Sequence, residues 1–148
     1  YLYYDIAGKR AKAVSVKERI VHLGFETSDS GNYQLAEEKF TAADAEAAPA
    51  KKRDLTEESL LRYNLVLQKG WELQAGSTKQ NVLNIKAQAD SIKAAVSMRE
   101  EYSTALAILN SANEALAKGE YEYAATLFSQ AEQLFADVYK KAAEKRAT

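Results

Sequence analysis

The stretch GNYQLAEEKFTAADA, residues 31–45, has a close counterpart in GEYEYAATLFSQAEQ, residues 119–133. Five positions carry the same residue type in both copies, pairing Gly31 with Gly119, Tyr33 with Tyr121, Ala36 with Ala124, Phe40 with Phe128 and Ala43 with Ala131. The last four positions of each copy are spaced three, four and three residues apart, so on a helix they share one face. Small alanines on this face let a neighbouring helix approach closely, while the aromatic rings fill the remaining space. The sequence therefore predicts an internal repeat made of packed helices.

The composition limits the class of protein. A chain of 148 residues with 47% hydrophobic residues is long and apolar enough for one domain with a continuous core. Its 20 basic and 21 acidic side chains give a net charge of -1, which offers no long-range field to attract nucleic acid. The absence of cysteine excludes disulfides, thiolate nucleophiles and cysteine-ligated metals. Uncharged stretches are too short and too polar to cross a bilayer, so no membrane span is expected.

An all-α fold follows from one proline and six glycines in a chain rich in alanine, leucine, glutamate and lysine. Apolar residues recur three and four apart, as amphipathic helices require. Helix breaks are predicted at 27–31, 47–54, 75–78 and 118–120, with a softer break at 97–101. These breaks divide the chain into about six helices, paired in three antiparallel hairpins.

Local signals assign roles to residues at these breaks. Pro49 is expected to follow the end of a helix, because it lacks the amide hydrogen that would continue it. Asp54, with Glu57 three residues later, is expected to cap the start of the next helix. Gly31 and Gly119 are expected to end the preceding helices in a left-handed backbone conformation, which glycine adopts at little cost.

The repeated residues resemble the second helix of the tetratricopeptide repeat (TPR), which carries G-x-Y-x-x-A-x-x-x-F-x-x-A. Both copies match all five positions, and Ile20, Leu23 and Gly24 match the family's first helix. The resemblance implies one repeat at 17–50, a second at 105–138 with a weaker first helix, and a degenerate hairpin at 54–98. Together these would form a right-handed solenoid over residues 1–148. Because Gly119 follows Gly31 by 88 residues, which is not a multiple of the 34-residue period, the middle hairpin is expected to be irregular.

The resemblance also implies a function, the binding of a protein or peptide partner on a concave face, without catalysis, cofactor or metal. The positions implied to line this face are Glu18, Val21, Phe25 and Ser28 in the first repeat and Leu106, Leu109, Asn113 and Leu116 in the last. Their mixture of apolar and polar side chains suits an extended peptide or a partner helix.

Two alternatives stand beside this interpretation. In the first, the chain binds a small molecule or lipid in a pocket that the irregular middle hairpin opens near Tyr63 and Trp71. In the second, it is a passive spacer between an anchor and another domain. Core packing is the competing interpretation for Trp71 in a small helical domain.

No set of residues indicates an enzyme. His22 is the only histidine, so a catalytic triad or a multi-histidine metal site would lack its other members. Neighbouring carboxylates such as Glu37 and Glu38 diverge by about a hundred degrees on a helix and are interpreted as solvated side chains. The basic groups at 50–54 and 140–146 are interpreted as an exposed loop and the surface of a helix end.

The ends of the chain indicate part of a longer protein, because it starts with YLYY instead of Met and finishes in a helix-forming pattern. Tyr1, Tyr3 and Tyr4 are expected to cap the apolar end of the helical stack. Long alanine-rich modules of this kind look similar to repeat segments of bacterial envelope proteins, which favours a periplasmic or envelope-associated setting.

Overall fold

The prediction of an all-helical chain is confirmed by a computed structural model, which describes residues 2–148. Within that range there are helices and turns and no β-strand. The helices are α1 (Leu2–Leu23), α2 (Ser30–Ala45), α3 (Pro49–Ser91), α4 (Ala94–Ser97), α5 (Arg99–Ala117) and α6 (Tyr121–Ala147). The chain folds into two compact units, Tyr1–Gly70 and Trp71–Thr148, which we call unit 1 and unit 2.

Helix α3 differs from the sequence prediction at both its start and its middle. It begins at Pro49, where a missing amide hydrogen costs nothing because the first amides of a helix have no partner in the helix. The predicted start at Asp54 is therefore wrong. The predicted break at 75–78 is also wrong, since α3 continues through Gly76 to Ser91, and residues 54–91 form one helix instead of parts of two. A helical glycine costs only about 1 kcal/mol, and the buried Ala75 and Val82 on the same helix offset that cost.

The turns confirm one glycine prediction and correct another. Gly119 has a left-handed φ of 75° between α5 and α6, as expected. In unit 1 the left-handed residue is Gly24, with φ of 73° just after α1, whereas Gly31 is the second residue of α2. Asp29 starts α2 instead, because its Oδ1 accepts a hydrogen bond from the backbone N–H of Asn32 at 3.2 Å. The softer break near 97–101 is confirmed at Met98, which separates the single-turn α4 from α5.

Unit 1 is built from α1, α2 and the first part of α3. Arg10 pairs with Asp44 and Lys17 with Glu37, so α1 and α2 run antiparallel. The hydroxyl of Ser59 on α3 donates to the backbone carbonyl of Ala36 on α2 at 2.8 Å. The buried core of unit 1 comprises Ala13, Ile20, Ala36, Tyr63 and Val66.

The turn after α1 contributes to that core. The ring of Phe25 lies against the backbone of Gly70, where a Cβ atom would come within 2.2 Å of the ring. The hydroxyl of Ser28 donates to the carbonyl oxygens of Phe25, at 2.8 Å, and Val66, at 3.0 Å. Gly70 is therefore required by a close approach, and the 24–29 turn is fixed to α3.

Unit 2 is built from residues 71–91 of α3 with α4, α5 and α6. The rings of Tyr102, near the start of α5, and Phe135, in the middle of α6, meet edge to face at 5.4 Å. Because only the short 118–120 turn joins the two helices, they run antiparallel. The hydroxyl of Tyr102 also donates to Asp90 of α3 at 2.5 Å. The main core of unit 2 comprises Ala75, Val82, Ala105, Leu109, Ala112, Ala115, Ala124, Ala125, Leu127, Phe128, Ala131 and Phe135.

Candidate binding groove

An open groove runs along the α1–α2 hairpin of unit 1. It encloses about 750 Å³. Its lining comprises Arg10, Val14, Lys17, Glu18, Val21 and His22 of α1 with Phe40 of α2. We call it the α1–α2 groove.

The periodicity of α1 explains why one face of the helix is open. Val14, Glu18 and Val21 are spaced four and three residues apart and lie on one side of the helix. Ala13 and Ile20 lie on another side and are completely buried in the unit 1 core. Val21 remains 50% exposed and lines the groove together with Phe40. The groove is thus an apolar surface left uncovered between two packed helices.

Most of the charges along the groove are paired within unit 1. The guanidinium group of Arg10 makes two hydrogen bonds of 2.9 Å to the carboxylate of Asp44, and it lies 4.7 Å from the centre of the Phe40 ring. The bond from Arg10 lowers the pKa of Asp44. This geometry combines a bidentate ion pair with a cation–π contact. Arg10 therefore holds the rim of the groove together, and its charge is neutralised.

A second charged group links the groove to the interior of unit 1. Lys17 lies 2.8 Å from Glu37, whose carboxylate also accepts a hydrogen bond of 2.5 Å from Tyr63. Burial raises the pKa of Glu37, but the bonds from Lys17 and Tyr63 outweigh burial and leave that pKa below its usual value. Burial, followed by the bond to Glu37, raises the pKa of Tyr63 far above its usual value. Tyr63 stays protonated and acts as a donor in the core.

Glu18 and His22 complete the polar lining. Both are exposed, lie one turn apart on α1, and make no ion pair or hydrogen bond with another side chain in the described part of the chain. With Arg10 and Lys17 neutralised by their partners, Glu18 is the carboxylate of the groove that is open to a ligand. The groove therefore offers an apolar floor with an acidic edge.

Some of the predicted site residues line the α1–α2 groove, and others belong to a turn or to a core. Glu18 and Val21 line the α1–α2 groove, whereas Phe25 and Ser28 belong to the turn that packs against α3. Tyr63 and Leu109 are only 1% and 4% exposed, so they belong to the cores of units 1 and 2 and not to an exposed surface. The sequence analysis did not assign Val14 and Phe40 to a site. The helical spacing of Val14 from Val21 was the signal that could have placed Val14 there.

The remaining predicted positions lie in unit 2. Trp71 is half-buried and packs against the main core of that unit, in agreement with the core interpretation. Asn113 is also half-buried, and its Oδ1 has no hydrogen-bond partner within residues 2–148. Leu106 and Leu116 pack against the same core.

Three further observations concern the N-terminal tyrosines, membrane spans and metal ions. Tyr3 and Tyr4 are largely exposed and so do not cover an apolar face within this chain, and Tyr1 lies outside the described residues. Among residues 2–148, no helix combines the length and the hydropathy needed for a bilayer span. No group of three histidine, cysteine, aspartate or glutamate side chains in that range has the geometry for a metal ion.

Comparison with known proteins gives no family assignment. No protein-family model matches the sequence, and searches of curated proteins and of solved structures found no significant match.

Proposed function

We propose that this chain is a TPR-like binding scaffold that holds a protein or peptide partner, with the α1–α2 groove as its main contact surface. The observation that carries the proposal is the exposure of Val21 beside Phe40 in a groove of about 750 Å³. Apolar side chains lining an open groove with a polar rim suit the apolar face of a bound peptide. The solenoid arrangement with a concave face belongs to the same proposal, supported by the repeated motif and by the antiparallel pair of helices in each unit.

The chemistry of the groove favours binding over catalysis. Its ion pairs, Arg10 with Asp44 and Lys17 with Glu37, satisfy each other and shape the rim. Glu18 and His22 are exposed at the surface, without the burial that catalytic acids and bases commonly have. Such a lining can orient a ligand through apolar contact and one carboxylate.

The small-molecule alternative was predicted near Tyr63 and Trp71, but both residues pack with hydrophobic cores. The α1–α2 groove is therefore the surface to which we now apply it. Its volume lies in the range of about 300–1,000 Å³ common for small-ligand sites, and Val14, Val21 and Phe40 would suit an apolar ligand. An enclosed site would bury most of such a ligand, whereas this groove is partly open. A long partner gains more from an open groove, so a peptide is the first proposal.

Selection from a library of displayed random peptides tests the proposal on the full chain. We expect enriched sequences whose binding falls at least tenfold in Val21→Asp, because a buried, unpaired carboxylate would oppose the apolar contact. Val96→Asp is the matched control, since Val96 is an exposed valine in unit 2. Enriched peptides that ignore Val21→Asp, or no enrichment at all, would reject the α1–α2 groove as the site.

Native mass spectrometry of the purified chain distinguishes the small-molecule alternative from the peptide-binding scaffold. A retained low-mass ligand that is lost in Val21→Asp, together with no peptide enrichment, would make that alternative the function of the groove. A chain without such a ligand, together with enriched peptides, favours the scaffold.

A further inference from the structure

The two copies of the repeated motif differ in what lies over one equivalent face. In the second copy, Leu109 of α5 and Phe128 of α6 are buried in one core with Ala75 and Val82 of α3. In the first copy, the residues 88 positions earlier are Val21 and Phe40, and both line the open α1–α2 groove. At these positions one hairpin therefore shares its core with residues 71–91 of α3, whereas the other borders an open groove.

The helix that covers the second copy has a regular apolar stripe. The residues of α3 in that core are the buried Ala75 and Val82 and the partly buried Trp71 and Ile85. Their separations of four, seven and three residues put them on one side of a helix. The small side chain of Ala75 allows the backbone to come close, as dense helix packing requires. The covering element is thus an amphipathic helix with small and branched apolar residues.

The α1–α2 groove has the dimensions for the same kind of element. Its lining on α1 extends from Arg10 to His22, which is roughly 18 Å at 1.5 Å per residue. A ligand helix of about 12 residues, or three turns, would match that length. The groove is lined by α1 and by Phe40 of the antiparallel α2, so a third helix can pack its side chains against both.

We propose that the α1–α2 groove binds one amphipathic helix of a partner protein, in the way that residues 71–91 cover the α5–α6 hairpin. This inference rests on the proposed function and names the structure of the partner segment. The segment presents alanine- and valine-sized residues three and four positions apart towards Val14, Val21 and Phe40. At its edge it carries a lysine or arginine that pairs with the exposed Glu18, since the other acidic groups of the rim are already paired.

A synthetic peptide with the sequence of residues 71–91 is the probe, added to the full chain and followed through the NMR signals of the valine methyl groups. We expect chemical-shift changes at Val14 and Val21 and none at Val96. The peptide variant with Val82→Asp breaks the apolar stripe, and the variant with Gln80→Pro breaks the helix at an exposed position. Each variant should weaken the apparent affinity at least tenfold, and Val21→Asp in the protein should do the same.

The outcomes separate this inference from the proposed function. A Gln80→Pro peptide that shifts Val14 and Val21 as strongly as the unchanged peptide would overturn the helical occupant, because an extended chain would then suffice. An unchanged peptide that leaves both valines unshifted would also overturn it, even if displayed peptides still depend on Val21 and so uphold the proposed function. Loss of dependence on Val21 in both experiments would remove the function and the inference together.

Discussion

The α1–α2 hairpin of unit 1 and the α5–α6 hairpin of unit 2 carry the same five-residue motif and bury it differently. Ala36 and Ala124 are both completely buried, so the close-packed seam is common to the two hairpins. Phe128 is also completely buried, whereas Phe40 is half-buried and borders the α1–α2 groove. The motif therefore accounts for the contact between two helices, and the residues packed around each hairpin decide how far its phenylalanine is buried.

The largest difference between the hairpins should appear when each phenylalanine is truncated. Phe128→Ala should lower the free energy of unfolding of unit 2 by about 3–5 kcal/mol, because it leaves a cavity in a closed core. Phe40→Ala should cost unit 1 about 1–2 kcal/mol, since part of its ring already faces the groove. Urea unfolding followed by Trp71 fluorescence reports on unit 2, and hydrogen exchange of the α2 amides reports on unit 1. Equal losses would show that Phe40 is as enclosed as Phe128.

A second prediction concerns the turn that belongs to the first hairpin alone. Gly70→Ala should destabilise unit 1 by about 1–3 kcal/mol, because the added methyl group would overlap the Phe25 ring. Gly76→Ala is the control in the same helix, since its methyl group meets open space, and it should stabilise by about 0.5–1 kcal/mol. Thermal unfolding of each variant, combined with a Gly70→Ala, Phe25→Ala double-mutant cycle, measures the coupling. Additive effects in that cycle would contradict the steric explanation.

The same residues show how far sequence reasoning extends. The all-helical fold, the 118–120 turn and the motif on α2 and α6 followed from composition and spacing, because these depend on local preference and on the period of the helix. The roles of two glycines did not follow from them. Gly31 and Gly76 look like helix ends in the sequence but lie inside α2 and α3, where packing outweighs a cost of about 1 kcal/mol.

The candidate site was predictable only in part, for a related reason. The resemblance to the TPR implied that Glu18 and Val21 line a concave face, and the structure puts both in the α1–α2 groove. The same resemblance implied that Leu109 lines that face in the last repeat, but Leu109 is buried in the core of unit 2. Periodicity identifies the face of a helix, but which face is covered depends on contacts between segments far apart in sequence.

A third prediction uses the two matched glycines, and it reverses sign between the hairpins. Gly119→Ala should destabilise unit 2 by about 1–2 kcal/mol, because the left-handed φ of 75° brings a Cβ atom too close to the next carbonyl oxygen. Gly31→Ala should stabilise α2 by about 0.5 kcal/mol, since alanine loses less backbone entropy in a helix. Trp71 fluorescence in urea and hydrogen exchange of α2 provide the measurements. Two changes of the same sign would mean that Gly31 ends a helix after all.

The smallest expected difference lies in the helix caps. Asp29 caps α2 through its bond to the N–H of Asn32, whereas Glu120 precedes α6 without a side-chain cap. Asp29→Ala should therefore cost about 1 kcal/mol, and Glu120→Ser should add about 0.5 kcal/mol to unit 2. Thermal unfolding at neutral pH compares both variants with the parent chain. An Asp29→Ala variant with unchanged stability would show that the α1–α2 turn holds α2 in place without the cap.

The cap of α2 also gives unit 1 a pH dependence that the uncapped α6 lacks. The pKa of Asp29 is lowered by the hydrogen bond from the Asn32 side chain and then by the one from its backbone N–H. A carboxyl group whose pKa is lower in the folded chain stabilises it above the unfolded pKa of about 3.9, and this contribution is lost as the pH falls through the folded pKa. The Asp29→Asn variant keeps a capping oxygen that does not titrate there. At neutral pH the parent chain should therefore have a higher free energy of unfolding than this variant, and the difference should shrink when unfolding is measured at lower pH. A difference that does not change with pH would mean that Asp29 acts through its geometry alone.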